Sequence, residues 1–258
     1  MKAFTDFFKN LFCNNFDYTK IKDLLKNKND EKENIVLLTT GSFNPIHRMH
    51  LEIVNIAYKH LMSLNEYNKF NVLCALISPS ADCYVKHKTH LLIDFKSRCE
   101  MISEAIEEYK NQVNLPIFLH KWEGSQDKFI DFPEVISEIQ SQLNKNCNQN
   151  IKVIYVCGMD HFCKCRYLFN ENVIAIDRKP FIKHKYKDIP EKLIYLVKDE
   201  KNEKSEIYSS TAIREIYIND QIDDNTKLIR IKEITFNSVA EKVLDFYKSH
   251  FKNDKKAK

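Results

Sequence analysis

Short apolar runs rich in β-branched residues recur along the chain, separated by longer stretches in which apolar residues return every three or four positions. The runs are Ile35-Val-Leu-Leu-Thr-Thr40, Val72-Leu-Cys-Ala-Leu-Ile77, Ile117-Phe-Leu119, Ile151-Lys-Val-Ile-Tyr-Val156, Val173-Ile-Ala-Ile176 and Leu193-Ile-Tyr-Leu-Val197. Runs of this length between polar or turn residues predict buried strands. Between most of them the spacing predicts helices over about 46–64, 94–111, 132–145, 161–168, 211–219 and 238–250. Alternating strands and helices imply an α/β chain of doubly wound form, a mostly parallel sheet of about six strands with right-handed crossovers and helices on both faces. Ligands bind such sheets beyond the carboxyl ends of the strands, where strand order reverses.

The polar stretch Asp30-Glu-Lys-Glu-Asn34 divides the chain into a helical extension, residues 1–34, and a single domain, residues 35–258. Residues 4–26 read as an amphipathic helix packed on that domain. Asp6 interrupts the aromatic-rich start, arginine is absent from it and no small-residue cleavage site follows, so a targeting peptide is a poor reading. The segments Asn144–Asn150 and Lys198–Glu206 read as surface loops, and Lys252–Lys258 as a solvated tail.

At 43% hydrophobic and 29% charged residues the chain reads as a folded, soluble protein, and no apolar run approaches the length that spans a bilayer. The net charge of +4, from 40 basic and 36 acidic residues, is too small and too mixed for a nucleic-acid surface. Eight irregularly spaced cysteines fit reduced thiols in the cytoplasm or nucleus. Cys157, Cys163 and Cys165 form no C-x-x-C pair, so ordinary thiols outrank a zinc site. A homo-oligomer is left open.

Only three glycines occur, far below the usual share of about 7%. Gly41 and Gly158 each follow a predicted strand, where the backbone must turn and let a ligand approach; Gly124 follows Trp122-Glu123 in a loop. In Gly41-Ser-Phe-Asn-Pro-Ile-His-Arg-Met-His50 the strand ends, the glycine permits a turn, and Pro45 suits the first turn of a helix. The free N–H groups and positive dipole end of that helix make a phosphate receptor, and His47 and His50, three apart, share its face.

This turn closely resembles that of the eukaryotic-type nicotinamide or nicotinate mononucleotide adenylyltransferases, within the HxGH nucleotidylyltransferase superfamily, with Met49 where many superfamily members have glycine. The resemblance implies a Rossmann-like fold in which Gly41, Ser42 and Phe43 line the phosphates of ATP and mononucleotide. His47 and His50 would hold ATP phosphates, and Asn44 would bind the mononucleotide. Four further segments are similar to family motifs, and the likeness spans about Ile35 to Arg214. Ser78-Pro-Ser-Ala-Asp-Cys-Tyr-Val-Lys-His-Lys88 resembles the SPxxDxYxK loop and points to Lys86 as the phosphate cation, with Lys88 its substitute if the register shifts by two. Lys121-Trp122-Glu123 resembles the Trp-Glu pair, whose indole would stack on a pyridine ring. Cys157-Gly158-Met159-Asp160 resembles the GxD segment that contacts ATP, and Arg178 the arginine of a strand-Arg-x-Gly segment, with Pro180 in place of that glycine. Tyr208-Ser-Ser-Thr-Ala-Ile-Arg214 resembles ISSTxIR. There Ser209, Ser210 or Thr211 would cap a helix whose N–H groups bind ATP, with Arg214 as bidentate cation.

The resemblance thus implies attack of a mononucleotide phosphate on the α-phosphate of ATP, catalysed by His47, His50, Lys86 and Arg214. Magnesium would arrive on ATP rather than in a protein metal cage. The product would be NAD or its deamido form. Rival readings are adenylyl or cytidylyl transfer to another phosphorylated acceptor, against which Trp122-Glu123 and the 78–88 loop speak, and a non-catalytic nucleotide-binding or chaperone-like protein. Binding alone would not require His47, His50 and Arg214 together.

Overall fold

In the computed structural model the described residues are 16–26, 28–29, 31–64, 69–165, 168, 172–177, 194–198 and 207–251. Arg178, the 199–206 part of the charged loop, the 252–258 tail and residues 1–15, which include the 4–15 part of the predicted leading helix, lie outside the described residues. The elements are α1 (Thr19–Leu25), β1 (Glu33–Gly41), α2 (Arg48–Ser63), β2 (Phe70–Pro79), α3 (Asp82–Lys86), α4 (Phe95–Tyr109), β3 (Ile117–Leu119) and α5 (Phe132–Cys147), followed by β4 (Ile151–Gly158), α6 (Met159–Cys165), β5 (Val173–Asp177), β6 (Ile194–Lys198), α7 (Ser210–Ile218), α8 (Asp224–Ile234) and α9 (Asn237–Phe251).

All six strands pair in parallel, in the order β3-β2-β1-β4-β5-β6. Order runs outward in both directions from β1 and β4, so the switch point lies between those two strands, beside Gly41 and Gly158. The period of two along each strand divides the core. Ile35, Leu37, Ile154, Val156, Ile174 and Ile176 face a layer made by α2, α4 and α7–α9, while Val36, Leu38, Val153, Tyr155, Val173 and Ala175 face α1, α5 and α6. Each fully buried Ile, Val or Leu contributes roughly 1.5–3 kcal/mol of transfer free energy.

Of the leading helix predicted over 4–26, the described part is helical only from Thr19 to Leu25, with residues 16–18 before it in no helix; Ile21 and Leu25 of this α1 are buried in the second layer. Two helices escape the apolar periodicity. Helix α3 has five residues, and α8 is mostly polar, opened by the cap of Asp223 on the Thr226 N–H at 2.9 Å and buried only through Lys227, Ile231 and Ile234. No helix among the described residues is long and apolar enough to cross a membrane.

Candidate active site

The first strand delivers Gly41 to the switch point, but the sharp part of the turn is made elsewhere. No glycine has positive φ; Phe43 does, at 43°. The atoms nearest to a Cβ at Gly41 would be those of the Phe43 ring, at 3.3–3.5 Å. The burial of Phe43, at 2% exposure, with its ring edge-on to His50 at 4.8 Å, stabilises the left-handed backbone that glycine is usually needed for. Pro45 likewise stands before the helix rather than in its first turn, and the Asn44–Pro45 peptide is cis.

His47 is the N-cap of α2 and His50 its third residue, so the pair straddles the helix start instead of sharing one helical face. The His47 N–H donates to His50 Nδ1 at 3.1 Å, and the two rings stack with centroids 3.6 Å apart. This capping box leaves both imidazoles at the positive end of a helix of 16 residues.

Both histidines line a cavity of about 290 Å³ with Thr40, Gly41, Met49, Ile53, Lys88, Tyr155, Cys157, Gly158, Asp160 and His161. Within it the Thr40 and Tyr155 hydroxyls are 2.8 Å apart, and His161 Nε2 lies 3.5 Å from the latter. Burial lowers the His161 pKa, so a neutral ring is favoured there. Gly158 leaves space for the Asp160 carboxylate, since a Cβ there would come within 2.7 Å of Asp160 Oδ1.

Helix α7 reaches the turn from the far end of the chain. Ser209 caps it by accepting from the Ala212 N–H at 3.0 Å, Ser210 Oγ donates to the Pro45 carbonyl at 2.7 Å, and Arg214 Nη1 donates to the Asn44 carbonyl at 2.6 Å. Arg214 Nη2 also donates to Thr211 Oγ1 at 3.0 Å. Asn44 faces inward: its amide donates to the Leu91 carbonyl and accepts from the Ile93 N–H, making it a clamp on the turn.

Of the two lysines, Lys88 reaches the cavity, 3.4 Å from Ser42 Oγ and over the Tyr84 ring, while Lys86 ends α3 exposed to solvent. Trp122 does not line the cavity of the histidines. It lines a separate cavity of about 730 Å³ along the β3 edge, with Phe16, Phe118 and His120. Its neighbour Glu123 is buried and accepts from Ser78 Oγ at 2.7 Å, and burial pushes its carboxyl up to about 7. Among the described residues no group of three or more His, Cys, Asp or Glu could hold a metal ion.

The sequence reading missed Arg98, whose side chain is fully buried between the turn and the 78–88 loop. A signal was present: Arg98 keeps the helical spacing of Met101, Ile102, Ala105 and Tyr109, the buried stripe of α4.

A fully parallel sheet with a helix-start histidine pair at its switch point defines an α/β chain of Rossmann-like fold. The family model described as Cytidylyltransferase-like matches residues 38–216, and the chain belongs to that family. The nicotinamide/nicotinic acid mononucleotide adenylyltransferase of Arabidopsis thaliana is 30% identical over 134 residues, covering 51% of this chain and 51% of its own length. The nicotinamide/nicotinic acid mononucleotide adenylyltransferase 1 of Bos taurus is 32% identical over 116 residues, 45% of this chain and 37% of its own. The chain thus spans about half or less of the length of these curated relatives. Among solved structures, Plasmodium falciparum nicotinic acid mononucleotide adenylyltransferase complexed with APC aligns over 83% of this chain and 96% of its own, with TM-score 0.60 and 18% identity. The same enzyme complexed with NaAD aligns with TM-score 0.58 and 19% identity. At these identities the likeness is one of fold.

Proposed function

We propose that this chain transfers the adenylyl group of ATP to nicotinamide or nicotinate mononucleotide. The observation that carries this reading is the stacked pair His47 and His50 at the start of α2, with Arg214 bonded to the same turn and Gly158 and Asp160 across the cavity. Support also comes from the partial likeness to mononucleotide adenylyltransferases of plant and mammal.

A phosphate oxygen of the mononucleotide attacks the α-phosphorus of ATP in line, the bond from that phosphorus to the bridging oxygen breaks, and pyrophosphate leaves. The nucleophile is already anionic, so positioning and charge neutralisation supply the rate. His47, His50 and the N–H groups opening α2 donate to the phosphates of ATP, which enters as its magnesium complex, the metal neutralising part of the polyphosphate charge. Arg214, one turn into α7, meets the departing pyrophosphate. Gly158 and Asp160 take the adenosine side, and Ser42 and Lys88 the acceptor phosphate. Lys86 and Arg178 are further candidates for the acceptor side, and Trp122 for its ring.

The test is to incubate the purified chain with magnesium-ATP and each of several phosphorylated acceptors, and to measure pyrophosphate and joined product. Formation of NAD or its deamido form supports the reading. Consumption of a different acceptor, or of CTP in place of ATP, overturns it in favour of another transferase of the family.

A further inference from the structure

We propose that Arg98, remote from the reacting atoms, is the positioning residue that sets the register between the two lips of the acceptor side. The inference rests on the adenylyl-transfer reading above. Its side chain is fully buried, and its guanidinium spends its donors on four acceptors from three segments. Nη1 donates to the Ser42 carbonyl at 2.7 Å, Nη2 to the Ser80 carbonyl at 2.8 Å and to Asp82 Oδ1 at 2.7 Å, and Nε to the Ile93 carbonyl at 3.0 Å.

Each of these partners leads to the site. Ser42 belongs to the turn that carries the histidines. Asp82 opens α3, whose end leads to Lys86 and Lys88, and its second oxygen accepts from the Phe95 N–H at 3.0 Å, tying α3 to the start of α4. Ser80 is bonded to the turn a second time, its N–H donating to the Gly41 carbonyl at 2.9 Å. Ile93 is gripped from its other side by Asn44, which accepts its N–H at 2.8 Å. The closure of these links is what brings Lys88 Nζ to 3.4 Å from Ser42 Oγ across 46 residues.

A buried, rigid, planar cation can hold four oxygens at fixed mutual angles, which a lysine ammonium on a flexible stem cannot. Core packing alone does not require a charge here. An apolar side chain would fill the volume but leave three carbonyls and a carboxylate oxygen facing inward without their donors. The ATP side is tied down separately, by Ser210 on the Pro45 carbonyl and Arg214 on the Asn44 carbonyl. Loosening Arg98 therefore disturbs Ser42 and the lysine loop more than it disturbs the histidine pair.

The experiment compares the full chain with Arg98→Lys, Arg98→Met and Asp82→Asn, using the KM of each substrate, kcat, the affinity for inorganic pyrophosphate and the thermal midpoint. In Arg98→Lys we expect the mononucleotide KM to rise about 10-fold or more and kcat to fall, with the ATP KM within about twofold, because small misplacements of positioning groups are expensive in rate. Asp82→Asn shows the same split more weakly, and the Arg98→Lys/Asp82→Asn pair is no worse than Arg98→Lys alone, as for two groups acting as one unit. A role in folding alone lowers the thermal midpoint and leaves both KM values at the wild-type level in the folded fraction, which overturns the proposal. If Arg98→Met does not fold, Asp82→Asn, at the partly exposed end of the pair, still decides through the KM split. A wild-type chain that binds pyrophosphate but joins neither mononucleotide overturns the function reading instead.

Discussion

Arg214 donates to the carbonyl oxygen of Asn44 at 2.6 Å, joining residues 170 positions apart. The bond fixes the start of α7 against the turn before α2, so two helix N-termini and a guanidinium converge on the switch point of the sheet. On the adenylyl-transfer reading, replacing Arg214 by Ala removes both a transition-state charge and this link. Turnover is expected to fall by about 10²-fold or more, and Arg214→Lys to recover only part of it, since one ammonium cannot serve carbonyl and phosphate together. Steady-state kinetics of the two variants beside wild type check this, and equal rates in Lys and Arg chains would refute it.

His50 is half-buried and its ring packs between those of His47 and Phe43. His50→Ala is expected to cost about 10²-fold in kcat, with a smaller change in stability of about 1 kcal/mol from the lost cap. The two quantities separate in one preparation, by turnover and by urea midpoint. An unchanged rate in the folded variant removes His50 from the chemistry.

The glycines divide by what a methyl group would meet. At Gly124 an added Cβ overlaps the Phe95 ring and comes within 2.5 Å of the Pro79 carbonyl, a backbone atom that cannot give way. Gly124→Ala should therefore destabilise by about 1–3 kcal/mol or more. At Gly158 the added Cβ meets the Asp160 carboxylate, which can rotate. Gly158→Ala should fold normally and raise the KM for ATP. Opposite outcomes, a stable Gly124→Ala and an unfolded Gly158→Ala, would contradict this division.

Two buried groups titrate in opposite senses on folding. Burial holds His120 down at about 4 from its ordinary 6.5, so its contribution is complete above pH 6.5 and is lost as pH falls toward 4. Burial pushes Glu123 up to about 7 from 4.5, so its contribution is complete below pH 4.5 and is lost as pH rises toward 7. Between those limits the two nearly cancel. Glu123→Gln removes one side of the balance, and its stability is expected to drop by about 2–3 kcal/mol more than wild type on going from pH 6.5 to 4.5. Urea melts across that range give the answer, and parallel profiles for the two chains would show that Glu123 does not titrate in the folded state.

The strands were legible because each carries a period or run long enough to declare itself, and all six lie within a few residues of the apolar runs. Helix α8 was not, because Lys227, Ile231 and Ile234 make too thin an apolar stripe; the cap at Asp223 was its better sign. The start of α7 was legible for a different reason: a cap depends on residues within one turn of one another, so it could be narrowed to Ser209, Ser210 or Thr211, of which Ser209 is the cap. The start of α2 was misplaced, because Pro45 reads as a first-turn residue while the helix opens only after His47.

What the sequence by itself determined is therefore the local chemistry: parallel strands, the positions where they end, and the polar residues that open the next helix. Only the tertiary structure decided which of those ends share a cavity. It brought Lys88 rather than Lys86 to the cavity of the histidines, set Trp122 along the β3 edge, placed the left-handed backbone at Phe43 rather than Gly41, and gave Arg98 bonds to the turn, the 78–88 loop and Ile93. Each of these depends on distances between residues tens of positions apart, which the packing of α4 and α7 against the sheet fixes and no spacing along the chain records.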